Sequence, residues 1–524
     1  MDSTNCDNHT DMNADEQAPP HCMENESLPD IANLQLEDNN LNYALVNTPT
    51  TDNNSGSLSE FISKVEEEIS QNKNSDEIYK FITENCTYQG IELSEVVQLL
   101  HENGDYKKLI GAIIIRKSLS ATQNPNCDSL IDSNWVPTLI EMSKQIENIK
   151  LKKEALWSIT NIASQQHCYV EYLVNQSVIP VLFECLNFEE PEIVEHAVWW
   201  LGNIAGDDDA YKQQINQTGA ISKLLQILLH SNVMSDLRRN CAWCISNLFR
   251  GALLPESEYV NMAIPVLIEV LKQEDWSTIW TDILWNFNYI TEKDYSTFPR
   301  IFECDGAQIF IKAFRSSEKT IFIPAVRIIG NLTWGEDLHI EYLVNWGVLN
   351  DFKNVLSSQP SEYIQKEWYW ALSNFCASSQ IWTTEILNLG LDLQFMQAVL
   401  HGSEKIKTEA IWCLCNLTPN LTKEMAEHLI KNNIIQVLIE FLKSNTVARS
   451  TLVALEGLGK ILDFNKELQG DNKDKIIDMV EQCGGIDVIE LLQTHPNQNV
   501  YSKALSILEK HFNIDDMINP DQQV

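Results

Sequence analysis

One position recurs along most of this chain: Trp157, Trp199, Trp243, Trp285, Arg327, Trp370, Trp412 and Glu456, at intervals of 42, 44, 42, 42, 43, 42 and 44 residues. A period of this length is that of a two- or three-helix unit in a solenoid. Such a unit cannot bury its own apolar face, so neighbouring units must stack. The chain has 524 residues, beyond the size at which a single core stops growing, and a stacked array accommodates that length.

Each unit follows one order. A small or flexible turn leads into an apolar helix, as in "QSVIPVLFECL", "TGAISKLLQIL", "MAIPVLIEVL", "WGVLNDFKNVL" and "NNIIQVLIEFL"; a polar turn such as "NFEEPE" follows, then the helix that carries Trp. Apolar residues fall at helical spacing with almost no alternation, so the expected class is all-α.

Four residues after each recurring position stand Asn161, Asn203, Asn247, Tyr289, Asn331, Asn374 and Asn416. Residues at i and i+4 share a helix face, so indole and amide form two rows in register. A single such pair would read as a packed Trp beside an incidental surface Asn. An Asn buried in every repeat would leave donors and acceptors unpaired at roughly 1–3 kcal/mol each, so the row is expected to lie exposed in a groove.

Asn amides can bond an extended peptide's backbone whatever its sequence. Slots between indoles fit an aliphatic stem that ends in a cation. Carboxylates accompany the rows: Asp207 follows Asn203 by one turn, Asp337 follows Asn331, and Glu195, Asp282, Glu367 and Glu409 precede their Trp by three or four residues. A ligand rich in lysine or arginine is expected.

Charge agrees with that ligand. The net charge of −37 repels polyanions and attracts basic partners, which argues against nucleic acid. No stretch is apolar over a membrane-spanning length, the longest run lying around "LIGAIII", and no signal segment is visible. The thirteen cysteines form no framework, and the CxxC of Cys241 and Cys244 lacks a second ligand pair, so buried reduced thiols are expected rather than zinc or disulfides.

There is no HExxH, P-loop, GxSxG or helix-opening GxGxxG, and the eleven histidines are scattered, so neither catalysis nor a cofactor is expected. His167 and His196 read as surface or partly packed groups.

Before Lys64 there is no Lys or Arg, and Asp, Glu, Asn, Thr and Ser dominate. Residues 1–57 are therefore expected to form a disordered acidic tail. In 58–90, "SEFISKVEEEIS" sets Phe61, Ile62, Val65 and Ile69 on one face of an amphipathic helical lead segment. Repeats are expected over 91–515, about ten in number, with a short tail at 516–524.

"EALWSITNIAS", "HAVWWLGNIAGD", "NCAWCISNLFRG", "PAVRIIGNLTWGED", "KEWYWALSNFCAS" and "TEAIWCLCNLTPN" closely resemble repeats of the importin alpha (karyopherin alpha) family, armadillo-repeat receptors for nuclear localisation signals. The resemblance runs from about Glu92 to residue 512. It implies a right-handed armadillo solenoid acting in nuclear import, located in cytoplasm and nucleus, with two peptide sites in a concave groove.

By that resemblance the larger site uses Trp157, Asn161, Glu195, Trp199, Asn203, Asp207, Trp243, Asn247, Asp282, Trp285 and Tyr289, with Asp207 taking an anchoring lysine. The smaller uses Arg327, Asn331, Asp337, Glu367, Trp370, Asn374, Glu409, Trp412 and Asn416. Arg327 in place of Trp, and Tyr289 in place of Asn, separate the two. The last repeat resembles the part that in the family meets the nuclear exporter of importin alpha.

Two departures stand out. Gln165 and Val170 occupy positions where the family commonly has Gly and Thr lining the anchor-lysine pocket. The family also begins with a basic segment that binds importin beta and folds back into the groove, whereas residues 1–63 here carry no Lys or Arg. The groove is therefore expected to be open, the protein monomeric, and importin beta binding weak or absent. A second reading follows, a module that holds basic cargo without engaging importin beta.

Overall fold

The computed structural model describes residues 57–512, except 88–90, 103, 122–126, 128–130, 132–134, 231–233, 274–277, 359, 446 and 467–474. The expected tails, through residue 56 and over 516–524, lie outside the described residues. Among the described residues the regular elements are all helical, and no helix is long and apolar enough to cross a membrane. The chain divides into two compact units, with a boundary between Val348 and Leu349.

A series of long helices runs through the described residues, all but the first and last of them carrying the recurring position. In the first unit these are α1 (Asp105–Ser120), α2 (Ile149–Ala163), α3 (Pro191–Asp207), α4 (Ser235–Phe249), α5 (Thr278–Lys293) and α6 (Lys319–Leu332), each packed on the next. In the second they are α7 (Glu362–Cys376), α8 (Glu404–Leu417), α9 (Ala448–Asp463) and α10 (Gln498–His511), packed in the same order. Each unit is thus a stack of repeats.

Two shorter helices precede the long one in most repeats. His167–Asn175 and Val178–Cys185 lead into α3, for example. The joint between them is a residue in the left-handed region: Ser177, Gly219, Asp305, Gly347, Gly390, Asn433 and Gly484. Glycine has no Cβ to clash there, and Asn or Asp tolerates the conformation at some cost. The repeat leading into α5 lacks this joint. There Ser257–Gln273 runs as one helix through Pro265, where a turn before "MAIPVLIEVL" was expected. The residues at that point, Met262 and Ala263, are helix formers, and nothing favours a left-handed break.

The long helices place neighbouring residues in opposite environments. In α3, Trp200 is fully buried with Ala197, Leu201 and Ile204, while Trp199 is half-buried. Cys241 and Cys244 are fully buried in α4, and burial raises both thiols, as befits core residues.

The lead segment folds as two helices, Leu58–Ser70 and Ser75–Asn85, whose Phe61 and Phe81 rings stack at 6.4 Å. It docks on the first repeats. Tyr79 Oη donates to Glu154 Oε1 at 2.6 Å, and Lys117 Nζ donates to the carbonyls of Thr83 and Cys86, both at 2.7 Å.

Candidate functional site

The long helices carry the indole and amide rows. Trp157 and Asn161 lie on α2, Trp199 and Asn203 on α3, Trp243 and Asn247 on α4, Trp285 and Tyr289 on α5, and Arg327 and Asn331 on α6. The second unit holds Trp370 and Asn374 on α7, and Trp412 and Asn416 on α8. The residues expected in the smaller site are thus divided between the units. Asp337 stands apart, exposed at the start of the helix Asp337–Asn345.

Exposure along the rows is uneven, where a uniformly exposed row was expected. Trp157, Asn161, Trp199, Asn203, Trp243, Trp370 and Asn416 are half-buried. Asn247, Trp285, Tyr289, Arg327, Asn331, Asn374 and Trp412 are buried. The physical reason is a set of partners that the sequence did not reveal.

Those partners lie one repeat back. Asn161 Nδ2 donates to Ser120 Oγ at 2.9 Å, Asn247 Nδ2 to the Gly202 carbonyl at 3.0 Å, Asn331 Nδ2 to Thr291 Oγ1 at 3.1 Å, and Asn416 Nδ2 to the Ser373 carbonyl at 2.9 Å. A buried Asn paired in this way pays no unpaired-donor penalty and ties each long helix to its predecessor. Asn203 differs: its Nδ2 is buried with no hydrogen-bond partner. Trp370 Nε1 in the second unit is in the same condition.

Several indoles already hold a cation. The Arg116 guanidinium lies over Trp157 at 4.4 Å, with His196 against the same indole at 5.3 Å; Arg327 lies over Trp285 at 5.8 Å, and Arg449 over Trp412 at 5.4 Å. These chain-borne cations supply the interaction that a ligand's lysine or arginine would otherwise make. Arg116 is itself paired with buried Glu154, which Tyr79 also engages. Among the described residues, no cation lies over Trp199, Trp243 or Trp370.

Gly202 brings one of those indoles, Trp243, close to the backbone of the neighbouring long helix. A Cβ at Gly202 would lie 2.2 Å from the Trp243 ring, so the indole rests on the bare backbone of α3. Trp199, Asn203, Trp243 and Asn247 thereby form one patch across α3 and α4. Asp207 ends α3, where the helix dipole adds to the attraction for a cation.

The carboxylates differ in environment. Asp207 accepts from His167 Nδ1 at 2.6 Å. Glu195 is half-buried and receives Asn240 Nδ2 at 3.3 Å; burial, then repulsion from Asp236 and Glu192, raises its carboxyl. Asp282 is buried, which pushes its carboxyl up to about 7 against the opposing pull of Arg239. Glu367 and Glu409 are buried in the second unit. A peptide cation therefore finds its most accessible acids in α3.

Comparison with known proteins identifies the architecture. Residues 208–250 match the family described as Armadillo/beta-catenin-like repeat, and 474–523 match that described as Atypical Arm repeat. Importin subunit alpha-3 of Arabidopsis thaliana is 29% identical over 400 residues, covering 76% of this chain and 75% of that protein. Importin subunit alpha-1b of Oryza sativa subsp. japonica is 26% identical over 423 residues, covering 80% and 79%. The chain is an importin-alpha-like armadillo protein. A crystal structure of an engineered protein shares the fold, with a TM-score of 0.68 and 21% identity over 79% of this chain and 97% of that one.

In this importin-alpha-like protein some site-adjacent residues were not singled out by the sequence. Glu154 precedes Trp157 by three residues, the offset of Asp282, Glu367 and Glu409, so its register could have marked it. Arg116 and Arg449 gave no such signal, because only stacking brings them over indoles of a neighbouring repeat. His196 is also fixed by stacking: burial pushes it down to about 3, followed by the charges of Lys153 and Arg116, so it meets Trp157 as a neutral ring.

Proposed function

We propose that this protein is a nuclear import adaptor that binds lysine- and arginine-rich localisation signals along the indole and amide rows, with its principal contacts at Trp199, Asn203, Asp207, Trp243 and Asn247. The observation that carries this reading is the unpaired Nδ2 of Asn203 between two cation-free indoles, with Asp207 one turn beyond. The Asn203 side chain is half-buried, so its amide can turn to give that donor to a ligand carbonyl, while lysine stems lie against the indole faces. Packed helices stand about 8–10 Å apart and an extended peptide advances about 3.3 Å per residue, so each repeat step takes roughly three ligand residues.

The importin alpha relatives support the import role, and with it movement between cytoplasm and nucleus. Glu367, Trp370, Asn374, Glu409, Trp412 and Asn416 offer a second, weaker contact region in which Trp370 is the available indole.

The reading is tested by titrating the full-length protein with a fluorescent lysine-rich peptide, and with an acidic peptide of equal length as control. Binding of the basic peptide alone, weakened by salt, is expected. No binding, or equal binding of both peptides, overturns the reading. Adding purified importin beta separates two versions: a ternary complex marks an adaptor, whereas unchanged binding with no ternary complex marks a module that holds cargo.

A further inference from the structure

Three consecutive acids close α3, and each meets a different fate. Asp208 Oδ1 caps the next helix by accepting from the Ala210 N–H at 2.7 Å. Asp209 pairs at 2.5 Å with Lys212 Nζ, which also donates to the Arg250 carbonyl at 2.7 Å; this pairing lowers the Asp209 carboxyl. Lys212 is buried between the Asp209 carboxylate and the Arg250 carbonyl, so Asp209 is engaged within the chain. Asp207 alone is paired with a group whose charge changes near neutrality, the imidazole of His167 at 2.6 Å.

We propose that His167 is a specificity-determining residue that competes with the ligand's cation for Asp207, so that protonated His167 holds the carboxylate and neutral His167 yields it to a peptide lysine. This rests on the basic-peptide reading and adds to it a gate on one named acid.

The local geometry supports a gate that can open. His167 begins the helix His167–Asn175 and is exposed, so its ring can leave Asp207 without disturbing the core. The ring stacks on Tyr211 at 6.4 Å, a second resting contact. The charged groups facing it are Asp207 and Asp208 from the end of α3 and Glu171 from its own helix, while Tyr211 faces it from Asp209–Gln217. The facing charges are all negative. The hydrogen bond to Asp207, then the charge of that carboxylate, raises the imidazole above its ordinary value.

The direction follows. As pH falls through the raised value, His167 gains a proton, its charge satisfies Asp207, and an incoming ammonium gains less there. An exposed pair has a modest strength, so the expected change is about two- to fivefold in affinity.

The test is peptide affinity by fluorescence anisotropy between pH 5.5 and 8.5, with a capped peptide whose only charged groups are lysine and arginine. Wild type should bind about two- to fivefold more weakly at the acid end relative to His167→Gln. His167→Lys, a competitor that keeps its charge throughout, should bind weakly across the range. Asp282 also titrates in this window, but it is common to all three proteins, so the ratio to wild type isolates His167. Asp207→Asn should remove the difference between His167 and Gln.

Parallel profiles for wild type and His167→Gln, with peptide bound, overturn the gate and leave the peptide reading standing. Absence of peptide binding at every pH in all variants overturns the peptide reading, and the gate falls with it.

Discussion

The stretch from α3 to α4 and the stretch from α5 to α6 are built on the same repeating pattern, yet they treat their indoles in opposite ways. In the first, Trp199 and Trp243 are half-buried and cation-free, and Asn203 keeps an unpaired donor. In the second, Trp285 and Tyr289 are buried, Arg327 lies over Trp285, and Lys293 Nζ lies 5.2 Å from the Tyr289 ring. Trp199 and Trp285 occupy equivalent positions, but the second stretch has already found its cations. A repeat position is therefore a place where a site can be built, and the neighbouring repeat decides whether it stays open.

The comparison breaks most directly by removing indole and amide together. Trp199→Ala with Asn203→Ala should cost about 2–4 kcal/mol of affinity for a lysine-rich peptide, as expected of interface hot spots, while leaving the fold intact. Trp285→Ala with Tyr289→Ala should act the other way round, lowering thermal stability more than affinity, because both rings are buried. Peptide titration and thermal melts of the two variants check this. Equal losses of affinity would erase the distinction between the stretches.

A smaller change sharpens the same point. Gly202→Ala puts a methyl where the Trp243 ring lies, so the indole must move or the helices must part. Overpacking of this kind costs about 1–3 kcal/mol. The expected result is a lower melting temperature together with weaker peptide binding, since Gly202 also offers the carbonyl that holds Asn247. A variant with wild-type stability would show that the indole does not need the bare backbone.

The all-α repeat was legible because period and helical spacing are properties of the chain read in one dimension. The identity of the row positions was legible for the same reason. Their exposure was not. A buried Asn needs a partner, and these partners are remote in sequence: Gly202, Ser120, Thr291 and Ser373 receive the amides from one repeat away. The same separation hid Arg116 over Trp157 and His167 on Asp207, contacts 41 and 40 residues apart in sequence that stacking makes adjacent. The missing joint before Pro265 was equally invisible in the apolar pattern, since a helix and a helix-turn-helix can bury the same residues.

A pH-dependent effect separates the two stretches by their acids. Glu195 in α3 is half-buried, whereas Asp282 in α5 is buried with its carboxyl pushed up to about 7. An unfolded Asp titrates near 3.9, so between about 4 and 7 the folded protein holds a proton that the unfolded chain has lost. Stability therefore falls as pH rises through that window. Asp282→Asn removes the titration, so its stability relative to wild type should rise by about 2–3 kcal/mol between pH 5 and pH 8. Melts at the two pH values measure the difference. A relative stability that does not rise between them would mean that the Asp282 carboxylate is held by Arg239 strongly enough to offset its burial, and α5 would then present a charged acid to a ligand as α3 does.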